Sequence, residues 1–309
     1  MADQVIARES TQPQIVFDES KIQFDMLVRR IGKIGLLLNP IFVYFFLWAP
    51  ILILVIFSFN DSRSVASWQG FTTRWYTNIF SNVVGTEARF STENLLNSFG
   101  NSMLVGAAAT IIATVIGTMV AISLVRGSYP GKRILNSILY LPVVIPEITQ
   151  GVSLLIFFKI VFDYVQLMSG ARGAPGFGTI IIGHVVFNIS YVTIVVRARL
   201  VDMNPRYEEA ARDLGANEWK TFWLVTFPLL LPAIIAGALL AFTLSLDDYI
   251  ITAFTTGPGT TTLPIFVYGL LKLSVTPEIN AISTIMLVLS TVLVGASLAL
   301  QGRNAAQAG

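Results

Sequence analysis

The sequence predicts an all-α polytopic membrane protein with six transmembrane helices and both termini in the cytoplasm. Of its 309 residues, 54% are hydrophobic and only 12% charged, whereas a soluble domain carries roughly 25% charged residues. The mean hydropathy of +0.71 means that the chain cannot be polar on all sides, so part of its solvent is lipid. Six apolar stretches each reach the ~20 residues that a bilayer core demands.

The first stretch, Ile34–Phe59, follows an N-terminal tail of residues 1–33. Its apolar run of about 25 residues exceeds the roughly 7–15 of a signal-peptide core, and no small-x-small cleavage site follows, so it is expected to remain as an anchor. The loop Asn60–Asn97 carries Trp68, Trp75 and Tyr76, residues that suit a membrane–water interface. Phe99–Val125 is the second span and Ile134–Phe162 the third, the latter interrupted by Pro142 and Pro146. Ser169–Phe177, rich in Gly and Pro, turns the chain into the fourth span, Phe177–Val196. Leu229–Phe254 and Ile279–Leu300 complete the set, and residues 301–309 form a second tail.

Lys and Arg choose the orientation. The first tail holds Arg8, Lys21, Arg29, Arg30 and Lys33, and the loop after the second span holds Arg126, Lys132 and Arg133. The loop after the fourth holds Arg197, Arg199, Arg206, Arg212 and Lys220, and the last tail holds Arg303. Fourteen of the 20 basic residues thus fall on one side, which the rule makes cytoplasmic. The others are Arg63, Arg74, Arg89, Arg172 and Lys272, with Lys159 near a span end.

Whole classes of chemistry drop out. The absence of cysteine removes disulfides, thiolate metal sites and cysteine nucleophiles. A single histidine, His184, argues against a histidine metal cluster or a Ser-His-Asp triad. No G-x-x-x-x-G-K-[ST] loop occurs, so this chain has no phosphate cradle of that kind. No catalytic residue, metal or bound cofactor is expected, and no nucleic-acid partner.

The segment 198–228, between the fourth and fifth spans, is a cytoplasmic loop with helical character. Asn204-Pro205 reads as an N-cap followed by proline at the first helical position. Tyr207–Leu214 continues with good helix formers, and Glu208 and Arg212 stand four residues apart as an expected ion pair. Gly215 falls where a helix end requires positive φ. A second short helix is expected from Asn217, carrying Trp219, Phe222 and Trp223. On local grounds alone this is either a surface hairpin packed on its own bundle or a docking element.

The spacing Glu209-Ala210-Ala211, Gly215, Val225, Phe227 and Pro228 resembles the EAA motif of ABC importer permeases, with Val and Phe replacing Ile and Leu. The resemblance implies a coupling helix that docks in a groove of a separate ATPase subunit, which binds ATP and Mg. Its coupling residues would be Glu208, Glu209, Ala210, Ala211, Asp213, Gly215 and Pro228. It further implies a homologous second permease, a periplasmic or extracellular substrate-binding protein, a bacterial inner-membrane location and transport by alternating access. Thr243–Asp248, Gly257–Pro264 and Pro277–Ala281, with Ala49-Pro50, Ser58–Asn60 and Arg74–Tyr76, are similar to polyamine importer permeases of the second-permease type.

Ionisable residues within spans are expensive unless they are paired or line water. Asp247 and Asp248 stand roughly 27 Å along a helix from Leu229; as adjacent helical residues they would diverge by ~100°. Either one takes the pathway and the other a neighbouring helix, or the pair caps a helix or bridges to a neighbour's Arg or Lys. With Tyr249 they would attract a dication, through charge and cation–π contact. Glu147 follows Pro146 in the interrupted third span, where irregular backbone is tolerated if it lines a cavity. A pathway role and satisfaction of the broken helix are both open for it. His184 is read as a hydrogen-bonded structural residue rather than a proton relay. Asn188 and Tyr191, on a similar face, are its partners or a polar lining. Thr256–Pro264 shapes an external gate or docking surface, or simply connects two spans.

Two other functions compete. A proton-coupled secondary transporter using Glu147, Asp247 or His184 would leave the Glu209–Pro228 constellation without a purpose. An intramembrane aspartyl enzyme needs converging carboxylates, which adjacent helical aspartates do not supply.

Overall fold

The computed structural model describes residues 19–62, 67–81, 92–272 and 277–306. The first eighteen residues of the expected tail, together with Arg63 and Arg89, lie outside them. The chain divides into two units, Met1–Leu54 and Val55–Gly309.

Helix α1, Glu19–Phe57, accounts for the first unit and contains Pro40 and Pro50. It begins at Glu19 rather than Ile34, so Lys21, Arg29, Arg30 and Lys33 are helical and not in a loose tail. The reason is local: the stretch before Gly32 has no proline or glycine to stop it and is rich in helix formers.

In the second unit, α2 (Arg74–Phe80) and α3 (Thr92–Arg126) are followed by α4 (Lys132–Val144) and α5 (Glu147–Ser169). Then come α6 (Phe177–Asp202), α7 (Arg206–Asp213) and α8 (Glu218–Thr221). A π-helical turn at Phe222–Thr226 leads into α9 (Phe227–Asp247). The remaining helices are α10 (Ile250–Thr255), α11 (Leu263–Leu271) and α12 (Pro277–Ala306). Among the described residues, six helical stretches are long and apolar enough to cross a membrane.

Other expected elements differ as well. The third span, 134–162, is two helices meeting at Ile145-Pro146, and α5 runs on to Ser169. The fifth, 229–254, starts earlier, because α8, the π-turn and α9 form one helical stretch from Glu218, and it ends at Asp247. Proline accounts for the π-turn: Pro228 cannot donate to the Leu224 carbonyl, and the Phe227 amide reaches back to Phe222 instead. The sixth runs to Ala306, through most of the expected tail.

The core of this unit is the packing of α3, α6 and α9 on one another, with α12 laid on α9. Small residues make it close. A Cβ on Gly117 would stand 2.9 Å from the Val192 side chain, and one on Gly106 would meet Phe242 at 3.1 Å. Ala109, Ala113 and Ala121 are fully buried beside them, as expected where apolar helices in lipid associate by close packing. Leu200, Leu230, Val192 and Val196 fill the half of that core toward the end of α6 and the start of α9.

Loops that the charge rule assigns to one side do meet. Arg126 after the second span pairs with Glu208 after the fourth, and Arg197 donates to Asn136. At the opposite end, Asn101 Nδ2 donates to the Thr261 carbonyl at 2.9 Å, and Thr179 Oγ1 to that of Thr255 at 2.7 Å. There Trp75 Nε1 donates to the Asn60 carbonyl at 2.8 Å, and Trp75 packs with Leu263, Val267 and Ile279.

Candidate functional site

Two places gather the residues singled out above: a cavity between helix breaks in the bundle, and the loop carrying α7.

The first break separates α4 from α5. Pro146 has no N–H for the Pro142 carbonyl, the acceptor an α-helix would offer it. Gln150 supplies the missing donor: its Nε2 lies 2.8 Å from both the Pro142 and Ile145 carbonyls. Glu147 occupies the first turn of α5 and is exposed, where the positive end of the helix dipole favours a carboxylate.

The second break falls between Asp247 and Ile250. Asp247 is the last residue of α9, and Asp248 is extended with ψ 123. The two aspartates are therefore not successive helical positions; they diverge because the helix stops between them. Asp248 caps α10, accepting from the Thr252 amide at 2.8 Å and the Ile251 amide at 3.2 Å. Its Oδ2 also accepts from Thr252 Oγ1 at 2.8 Å and lies 3.2 Å from His184 Nε2. The two side chains of this contact are 7% and 1% exposed, Asp248 first. Asp247, by contrast, is exposed and accepts from Ser290 Oγ at 2.9 Å.

Between the breaks lies a cavity of about 410 Å³. Glu147, Tyr191, Asp247, Asp248 and Tyr249 of the expected pathway residues line it, with Gln150 and Thr243. Tyr249 packs against Tyr268, ring centroids 4.3 Å apart and the planes tilted by 39°. Asn188 does not line it. That side chain is fully buried and donates to Ser245 Oγ at 2.7 Å, tying α6 to α9. The expectation fails because the three residues from Asn188 to Tyr191 turn the helix by about 300°, and the remaining 60° or so separates the packed core, where Asn188 lies, from the cavity that Tyr191 lines. His184 likewise finds its partners in Thr252, at 2.9 Å, and Asp248, not in Asn188 or Tyr191.

In the loop, Asn204 Oδ1 accepts from the Arg206 amide at 3.0 Å, and Asn217 Oδ1 from that of Lys220 at 2.8 Å. Gly215 has φ +86, the left-handed conformation that ends α7. Glu209, Ala210, Asp213 and Leu214 are exposed, and Ala211 is half-buried. Pro228 stands in the first turn of α9. The expected Glu208–Arg212 pair does not form. Glu208 is 7% exposed and turned inward, with Oε2 3.1 Å from Arg126 Nε and Oε1 accepting from Thr226 Oγ1 at 2.9 Å. Arg212 instead approaches Glu218 at 3.7 Å. A buried partner outcompetes a solvated helix-surface one, whose worth is only ~0.3–0.5 kcal/mol.

Gln150, Arg126, Thr226 and Ser290 escaped the sequence reading. Gln150 left a trace there, four residues beyond the amide-less Pro146. Arg126 counted only as a topology charge, and nothing in the pattern points to Ser290.

Residues 113–306 match the family described as "Binding-protein-dependent transport system inner membrane component". The chain belongs to that family, and is a multi-pass permease component of a transport system rather than an enzyme. It is 40% identical over 246 residues to the putrescine transport system permease protein PotI of Escherichia coli strain K12, covering 78% of this chain and 82% of that one. It is 37% identical over 255 residues to the spermidine/putrescine transport system permease protein PotC of the same strain, covering 82% and 89%. Among solved structures, a bacterial ABC transporter involved in the import of the acidic polysaccharide alginate superposes with a TM-score of 0.68 at 16% identity, over 91% of this chain and 99% of that one. That likeness shows a shared fold.

Proposed function

We propose that this permease carries putrescine, spermidine or a related polyamine across a bacterial inner membrane. The observation that carries the reading is the cavity between the two helix breaks, where Glu147 and Asp247 present carboxylates beside Tyr191 and Tyr249. Carboxylates attract an ammonium group, and tyrosine rings add cation–π contact while tolerating the methylene chain. The similarity to putrescine and spermidine permeases supports the same class of cargo.

In this reading a homologous second permease completes the pathway. A substrate-binding protein delivers the polyamine from the periplasmic or extracellular side. A pair of ATPase subunits, holding ATP and Mg, docks on the exposed face of α7, where Glu209 is the polar contact, Ala210 and Ala211 allow close approach, and Gly215 makes the turn. Asp213 lies on the same exposed helix. Closure of the ATPases moves α7 and switches the cavity from one side of the membrane to the other.

The test is uptake of radiolabelled putrescine and spermidine by cells lacking their own polyamine importers, with the complete transport system supplied. Uptake is expected to stop on ATP depletion and to persist when an uncoupler collapses the proton gradient while ATP is maintained. Uptake that follows the proton gradient would instead establish a secondary carrier.

A further inference from the structure

We infer that Glu208 is a positioning residue that ties the docking helix to two membrane spans, and not itself a docking residue. This rests on the coupling role proposed for α7.

Glu208 is the only buried residue of α7, an eight-residue helix otherwise exposed or half-buried. Burying a carboxylate is costly unless each oxygen is satisfied, and here each is satisfied by a different element. Oε2 meets Arg126, the last residue of α3. Oε1 accepts from Thr226, the last residue of the π-turn that opens α9. Thr226 is itself 5% exposed. The charges sit well locally too, since Glu208 lies in the first turn of α7 and Arg126 in the last turn of α3.

The consequence is mechanical. The neighbouring Glu209 faces outward about 100° around the helix, so one turn of α7 offers an outer face to a partner and an inner carboxylate to the bundle. A push on the outer face reaches α3 and α9 together through one side chain, and these two spans form the bundle core with α6. A loop without that carboxylate would still bind the ATPase but would slide over the spans.

The experiment compares Glu208→Gln, Arg126→Gln, their double variant and Thr226→Val with Glu209→Lys in the whole assembled importer. Co-purified ATPase, ATP hydrolysis and putrescine uptake are measured for each. Glu208→Gln and Arg126→Gln are expected to keep the ATPase and to hydrolyse ATP within about twofold of the parent. Uptake per ATP should fall at least tenfold in each, the double variant no lower than the single ones, because both remove the same link. Thr226→Val is expected to show a smaller loss of the same kind, and Glu209→Lys to lose the ATPase. A permease that loses its ATPase on Glu208→Gln would make Glu208 a docking residue and overturn the inference. So would unchanged uptake per ATP in both single variants. A parent protein that purifies without any ATPase would overturn the coupling reading first, and this inference with it.

Discussion

At the scale of single residues, the adjacent aspartates Asp247 and Asp248 divide into two different tasks. Asp248 serves α10 and His184, whereas Asp247 keeps one hydrogen bond to Ser290 and otherwise faces open space. Asp248→Asn retains the shape but removes a charge-assisted set of bonds, each worth about 2 kcal/mol. It is expected to lower the unfolding temperature of the detergent-solubilised protein by several degrees. Asp247→Asn should leave that temperature within a degree or two and raise the putrescine KM severalfold. Equal thermal stability of the two variants, measured by intrinsic tryptophan fluorescence, would dissolve the distinction. The sequence made both carboxylates conspicuous but gave no way to separate them. Separation depends on His184, 64 residues earlier in the chain, and on a helix that stops at Asp247; periodicity over a uniformly apolar stretch registers neither.

At the scale of elements, the breaks in the bundle are built from proline and repaired by side chains. Pro146 leaves the Pro142 carbonyl without an amide, and Gln150 fills the gap. Pro146→Ala restores the amide and favours a continuous helix from α4 into α5, since proline is disfavoured in a helix interior by about 3 kcal/mol. Folding and membrane yield should be unharmed, while putrescine uptake falls at least tenfold as the α4–α5 corner straightens and displaces Glu147. Normal uptake by this variant would show that the corner is dispensable. Proline is legible in a sequence, and so this break shows there as an interrupted span, though not as two helices. The break after Asp247 has no proline or glycine within it, and hydropathy alone makes it part of an unbroken span. The N-cap at Asn204 and the turn at Gly215 were legible because capping chemistry is local. The orientation of Glu208 was not, because its partners come from α3 and the π-turn.

At the scale of the whole molecule, hydropathy and the placement of Lys and Arg carry most of the architecture. Spans are set by transfer free energy and topology by charge, and both can be read without knowing how helices pack. The sidedness has a direct test, because the chain contains no cysteine. In intact cells a membrane-impermeant maleimide is expected to label Ala171→Cys, in the exposed turn between α5 and α6, and to spare Asp213→Cys in α7 until the membrane is opened. The reverse pattern would invert the topology. Packing partners, by contrast, were invisible: the small-residue seam at Gly106 and Gly117 acquires meaning only once Phe242 and Val192 are seen against it.

The π-turn at Phe222–Thr226 makes residue count matter in its own right. A π-turn accommodates one residue more than α-helical winding would use over the same rise, and each α-helical residue turns the helix surface by ~100°. Losing any one of those five residues would let the spiral run uninterrupted from Glu218, and everything upstream would be rotated by about that angle against the membrane part of α9. The stretch is thus an angular offset written in chain length. It accepts exchanges of one apolar side chain for another, but a single-codon deletion would aim α7 in a new direction while leaving the composition of the protein almost untouched.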